Sequence, residues 1–157
     1  MVTLRTIEGE SYIKIEESVL DAIYEEALRV YPWEGGGFLF GNYSEDRTVV
    51  YVRRILKPLN MRATGMSFER VVDKKTFETI YDEEGLIYVG EWHSHPNGSS
   101  LYSSMDKQAM IRIAEYPKTL IEHPLLMIVG VKNRRVQEYS VYMYDNQKLL
   151  RYEQSGD

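Results

Sequence analysis

Apolar and polar side chains alternate at Tyr12, Ile13, Lys14 and Ile15, the period of a short strand with one buried face. Val19, Leu20, Ile23, Tyr24, Ala27 and Leu28 then follow at helical spacing, so an amphipathic helix with a single apolar stripe is predicted. Ser18 and Asp21 have the spacing of a capping box at its start, and Pro32 ends it by pushing the preceding residue out of the helical region. Residues 38–41 and 49–56 read as two strands joined by a turn-rich segment at 42–46, and 57–70 as a long loop. Asp73 is placed to cap a short second helix through Phe77, Ile80 and Tyr81, ending near Gly85. Residues 86–95 are dense in apolar side chains, which predicts a strand central to its sheet. A third helix is expected over 103–116 and a second buried strand over 125–131. A turn at Asn133 leads to an alternating strand over 136–144, and a last strand or tail follows Asn146. This order predicts an α/β fold, a single mixed β-sheet flanked by helices.

Composition adds bounds rather than detail. A chain of 157 residues with neither a repeat nor a linker fits one domain over residues 1–157. With 43% hydrophobic and 27% charged residues, disordered and fibrous classes are excluded. The net charge of −5 argues against a nucleic-acid partner, since phosphate neutralisation needs clustered Lys and Arg. The absence of cysteine removes disulfides, thiolate zinc ligands and a cysteine nucleophile. The opening residues lack the apolar core of a signal peptide, and no run reaches the roughly 20 apolar residues of a membrane span. The expectation is a cytoplasmic chain with no membrane partner; its oligomeric state is left open.

The chemistry concentrates in one stretch. His93 and His95 flank Ser94, and in a strand residues two apart share a face, so both imidazoles project into the same space. Pro96-Asn97-Gly98-Ser99-Ser100 must turn the chain, and the helix beginning at Ser103 carries Asp106 in its first turn. Strand end, loop and helix start can thus assemble His93, His95 and Asp106, a ligand set suited to Zn²⁺ with its fourth position open to water. Taken singly the pieces have plainer readings. A histidine pair is commonly a hydrogen-bonded pair, and Ser103 with Asp106 is a capping box without any metal.

The pattern His93-x-His95, seven residues, Ser103, two residues, Asp106 resembles the signature of the JAMM (MPN-plus) metalloproteases. Tyr31-Pro32-Trp33-Glu34-Gly35-Gly36-Gly37-Phe38-Leu39-Phe40-Gly41 is similar to the family's stretch bearing its glutamate, and Gly90-Glu91-Trp92 and Pro96 also match. Tyr102 departs from the proline that many members have before the serine. The chain looks closest to the small prokaryotic JAB-domain branch. The resemblance implies a JAB/MPN fold with layering like that of cytidine deaminases, and Zn²⁺ held by His93, His95 and Asp106. It implies Glu34 as the base that takes a proton from water and returns it to the leaving amine, and Ser103 as hydrogen-bond donor to the oxyanion. Glu91 is a rival base, because it shares strand parity with both histidines. Ser94 should point away from the metal and orient the strand end. The three glycines after Glu34 permit close backbone approach, and His123 is not counted as a ligand.

The resulting expectation is a zinc-dependent peptidase or isopeptidase acting after the C-terminal tail of a ubiquitin-like or sulfur-carrier-like protein. The alternative is a non-catalytic MPN-type interaction module. A cupin-type oxygenase ranks low, because His123 lacks the required Glu spacing before it. The thermolysin-type His-Glu-x-x-His pattern is absent.

Overall fold

In a computed structural model, residues 1–6, 10–57, 74–115 and 121–154 are described. Eight strands and three helices follow one another: β1 (Val2–Arg5), β2 (Tyr12–Ile15), α1 (Glu17–Val30), β3 (Gly36–Tyr43), β4 (Val49–Leu56), α2 (Lys74–Glu84), β5 (Ile87–Pro96), α3 (Ser104–Glu115), β6 (Leu125–Lys132), β7 (Arg135–Asp145) and β8 (Lys148–Gln154). They form one mixed sheet in the order β1-β2-β4-β3-β5-β6-β7-β8. The β2–β4 and β5–β6 pairs are parallel and the others antiparallel. The sheet curls until its two edges meet, Leu4 opposite Gln154 and Arg5 opposite Glu153.

Each helix has its own apolar contact with the sheet. Val19, Leu20, Ile23 and Ala27 of α1 pack with buried residues drawn from all eight strands, so α1 fills the concave side. Met110 of α3 lies with Leu126, Ile128, Tyr142, Tyr144 and Leu149, and Ile80 of α2 with Phe38 and Phe40, on the convex side. Strand alternation divides β6 between these surfaces: Met127 and Val129 face α1, while Leu126 and Ile128 face α3. No helix among the described residues is long and apolar enough to cross a membrane.

The mixed sheet with flanking helices agrees with the sequence expectation, and local details differ, among them β3, which spans Gly36–Tyr43 rather than 38–41 and so takes Asn42 and Tyr43 out of the expected turn. The helix start is not a Ser18–Asp21 box: Glu16 is the N-cap residue, no side chain caps the helix, and the Glu16 carboxylate instead accepts from Arg53 at 2.9 Å. The four-residue β1 was not anticipated, because it is held by pairing with β2 and β8 rather than by a pattern of its own. The expected loop at 57–70 and the Asp73 cap fall almost wholly outside the described residues.

Candidate functional site

β5 lies between β3 and β6, in the middle of the sheet. Trp92 belongs to the α1-side core, so the alternating His93 and His95 face the convex side, where α3 packs. Asn97, in the left-handed region at φ 60°, turns the chain after β5, and its N–H donates to the Val131 carbonyl at 2.6 Å. Ser100 is fully buried and anchors this turn. Its hydroxyl meets Glu138 at 2.8 Å and Ser140 at 2.7 Å, while the Tyr142 hydroxyl donates to its carbonyl. The loop runs close over β6 at Gly130, where a Cβ would stand 2.9 Å from the Gly98 carbonyl oxygen. Held in this way, the chain delivers the start of α3 beside the histidines.

That helix start is a reciprocal capping box. The Asp106 N–H donates to Ser103 Oγ at 3.1 Å, and the Ser103 N–H donates to Asp106 Oδ2 at 2.7 Å. The same carboxylate reaches across to β5, with Oδ1 3.0 Å from His93 Nε2 and Oδ2 3.3 Å from His95 Nε2. The two Nε2 atoms are 3.2 Å apart. His95 Nδ1–H donates to the Ser99 carbonyl at 2.8 Å, which fixes the ring and turns Nε2 toward the cluster.

Glu34 reaches the same point from the segment between α1 and β3. Its carboxylate and the two histidines offer ligating atoms that all lie within 4.8 Å of one another. The two acidic groups differ in character. Burial opposes ionisation of Asp106, but hydrogen bonds from His93 and His95 outweigh it and hold its carboxyl well below the ordinary range. Burial raises the Glu34 pKa, partly opposed by the two imidazoles and reinforced by the Asp106 charge. For His95, burial disfavours the charged ring, yet hydrogen bonds to Asp106 and Ser99 leave its pKa raised.

The donor set suits a divalent ion. Four ligands at zinc bond lengths of about 2.0–2.1 Å stand about 3.3 Å from one another at the corners of a tetrahedron. The imidazole and carboxylate separations of 3.0, 3.2 and 3.3 Å are compatible with that spacing, as they are with direct hydrogen bonds among the three groups. Glu91 is placed differently. It is buried opposite Phe38 on β3 and accepts from the Tyr88 hydroxyl at 3.1 Å. Ser103 is exposed, and because its oxygen accepts the capping bond, its hydroxyl proton is still available to donate. His123 stands apart from this cluster, with Nδ1 3.1 Å from the Tyr144 carbonyl.

A profile of prokaryotic homologs of the JAB domain matches residues 16–142. The chain belongs to that family. It is 35% identical over 126 residues to a CD-NTase/cGAS isopeptidase from Enterobacter hormaechei, covering 78% of this chain and 70% of that protein. It is 28% identical over 122 residues to the probable metalloprotease y4qB of Sinorhizobium fredii, covering 74% of each. Solved structures agree on the fold. A protein from Desulfitobacterium hafniense superposes with a TM-score of 0.64 at 18% identity, over 90% of each chain. A JAB1/MPN domain protein from Archaeoglobus fulgidus gives 0.50 at 19% identity, over 88% of this chain and 90% of that one. The names of the two curated relatives support a JAB-type hydrolase, and the matched residues 16–142 include Glu34, His93, His95, Ser103 and Asp106.

Proposed function

We propose that this JAB-domain chain is a zinc-dependent hydrolase of peptide or isopeptide bonds. The observation that carries the reading is the meeting of His93 Nε2, His95 Nε2 and the Asp106 carboxylate, with Glu34 beside them. His93, His95 and Asp106 would hold Zn²⁺. When bound, zinc supplies Lewis acidity, which lets water ionise near pH 7 and withdraws charge from a carbonyl oxygen.

The rest falls to the protein's own groups. Asp106 sets its carboxylate against both Nε2 atoms, 3.0 Å from His93 and 3.3 Å from His95, and is therefore assigned the third ligand place in this reading. Glu34, half-buried beside the two imidazoles and outside the Ser103–Asp106 capping box, is assigned the proton carrier in this reading. Its carboxylate takes the proton from the attacking water and hands it to the leaving nitrogen. The Ser103 hydroxyl donates to the carbonyl oxygen as negative charge gathers there.

The substrate is proposed to be a conjugate or fusion of a ubiquitin-like or sulfur-carrier-like protein, cut after its C-terminal tail. One relative's name is an isopeptidase, and an isopeptide bond joins a carboxyl terminus to a side-chain amine, which supports this class. The proposed setting is the cytoplasm. The test incubates the full chain with ubiquitin-like conjugates after zinc removal and after zinc restoration, beside Glu34→Gln. Cleavage should vanish with the metal and return with it, and Glu34→Gln should bind zinc yet turn over about 10²–10⁴-fold more slowly. Undiminished cleavage by verified metal-free protein would sink the mechanism. A chain that takes up no zinc would instead be a non-catalytic interaction module.

A further inference from the structure

Pairing between β3 and β5 begins at Gly36 opposite His93, so Glu34 lies two residues outside the ladder. A carboxylate carried on a free chain end would sample many positions. Here the residue between, Gly35, is held at both of its polar groups by one residue of β5. The Ser94 N–H donates to the Gly35 carbonyl at 2.9 Å, and the Gly35 N–H donates to Ser94 Oγ at 2.8 Å. Ser94 is buried, at 1% exposure, on the face of β5 turned away from the histidine imidazoles. Gly35 sits tightly against the last turn of α1, where an added Cβ would stand 2.7 Å from Val30 Cγ2. At the other end of the segment, the Tyr31 hydroxyl donates to Asn97 Oδ1 at 2.6 Å.

We infer that Ser94 is a positioning residue for Glu34: its hydroxyl latches Gly35 and so fixes where the Glu34 carboxylate stands relative to His93 and His95. This rests on the base role proposed above for Glu34. One residue thereby serves both faces of β5, its neighbours presenting imidazoles outward while its hydroxyl grips the glutamate segment inward. Removing the hydroxyl leaves the Gly35 N–H without its partner and lets the segment shift. A displacement of about 1 Å in a reacting group is enough to slow chemistry about 100-fold. The ligands themselves should stay in place, because their side chains leave the opposite face.

The test is Ser94→Ala in the full chain, read in two ways. Amide hydrogen exchange, followed residue by residue without added metal, should quicken roughly tenfold at Gly35, as expected for a lost hydrogen bond, and change little at Ile128 or Val129. With zinc bound, and with rates normalised to bound zinc, kcat should fall about 10–100-fold while KM and zinc affinity hold. Gly35→Ala, which leaves Ser94 intact but pushes the same segment off Val30, should reproduce the kcat loss with zinc retained. Unchanged Gly35 exchange in Ser94→Ala would overturn the latch, as would unchanged kcat or a loss confined to zinc affinity. If Glu34→Gln kept near-normal turnover, the base role would fall instead, and the Gly35 exchange result would still decide whether the latch exists.

Discussion

At the scale of single residues, Ser103 caps a helix and is proposed to hold a second role as well. Its oxygen accepts the Asp106 N–H and so caps α3, while its proton is free for the carbonyl oxygen of a substrate. The two roles use different atoms and should separate on mutation. Ser103→Ala should lower stability by about 1 kcal/mol through the lost cap. It should also lower kcat by about 10²–10³-fold through the lost oxyanion donor. Zinc should be retained, because the bond that steers Asp106 comes from the Ser103 backbone N–H, which alanine keeps. Thermal melts set beside steady-state kinetics would separate the two; a stability loss with unaltered kcat would leave Ser103 a helix cap and no more. Much at this scale was legible beforehand. A two-residue spacing on a strand places both imidazoles on one side whatever surrounds them, and a Ser-x-x-Asp helix start aims its carboxylate back along the chain. What could not be read was the latch, since no local pattern tells Ser94 that Gly35, 59 positions away, needs an acceptor.

At the scale of elements, α1 was readable from its stripe but not from its ends. The helical period follows from burial of Val19, Leu20, Ile23 and Ala27 against the sheet, and that stripe is written in the sequence. Its start depends on which partner each carboxylate finds, and Arg53 on β4 claims Glu16. Its end depends on Pro32: Tyr31 takes ψ 136°, extended as a residue before proline should be. Near that end lies Glu26, a carboxylate with only 4% exposure. Arg29 grips it with two hydrogen bonds of 2.6 and 2.9 Å, and Lys57 Nζ stands 3.0 Å away. The Arg29 hydrogen bonds, opposed by burial and helped by Lys57, hold the Glu26 carboxyl below the ordinary carboxylate range. The folded chain therefore gives up this proton more readily than the unfolded chain. The stabilisation is complete above the unfolded pKa of about 4.3 and is lost as pH falls through the lowered folded value. Melting temperature followed downward from about pH 5 should drop more steeply in the native chain than in Glu26→Gln. Equal slopes would mean that the ion pairs contribute nothing to acid stability.

At the scale of the whole molecule, neither the closing of the sheet nor the building of the site is local. β1 and β8 come from opposite ends of the chain, and their pairing follows from the curl of a sheet wrapped on α1 rather than from anything in either strand. The site likewise joins the chain between α1 and β3 to the end of β5 and the start of α3. An ion bound by β5 and α3 together would cross-link two elements in the folded state alone, so it should raise stability by mass action. At free zinc about 100-fold above its dissociation constant the gain is about 2.7 kcal/mol. For a chain of this size each kcal/mol moves the melting temperature by about 2–4 °C, so zinc should raise it by roughly 5–11 °C. His93→Ala should abolish that shift. The two carboxylates are then told apart without any substrate: Asp106→Asn should lose most of the shift, while Glu34→Gln should keep it, since its carboxylate is assigned to moving a proton and not to holding the ion. A shift that survived Asp106→Asn but vanished in Glu34→Gln would exchange the two roles, and the closely grouped atoms of Glu34, His93 and His95 would then be the ligand set.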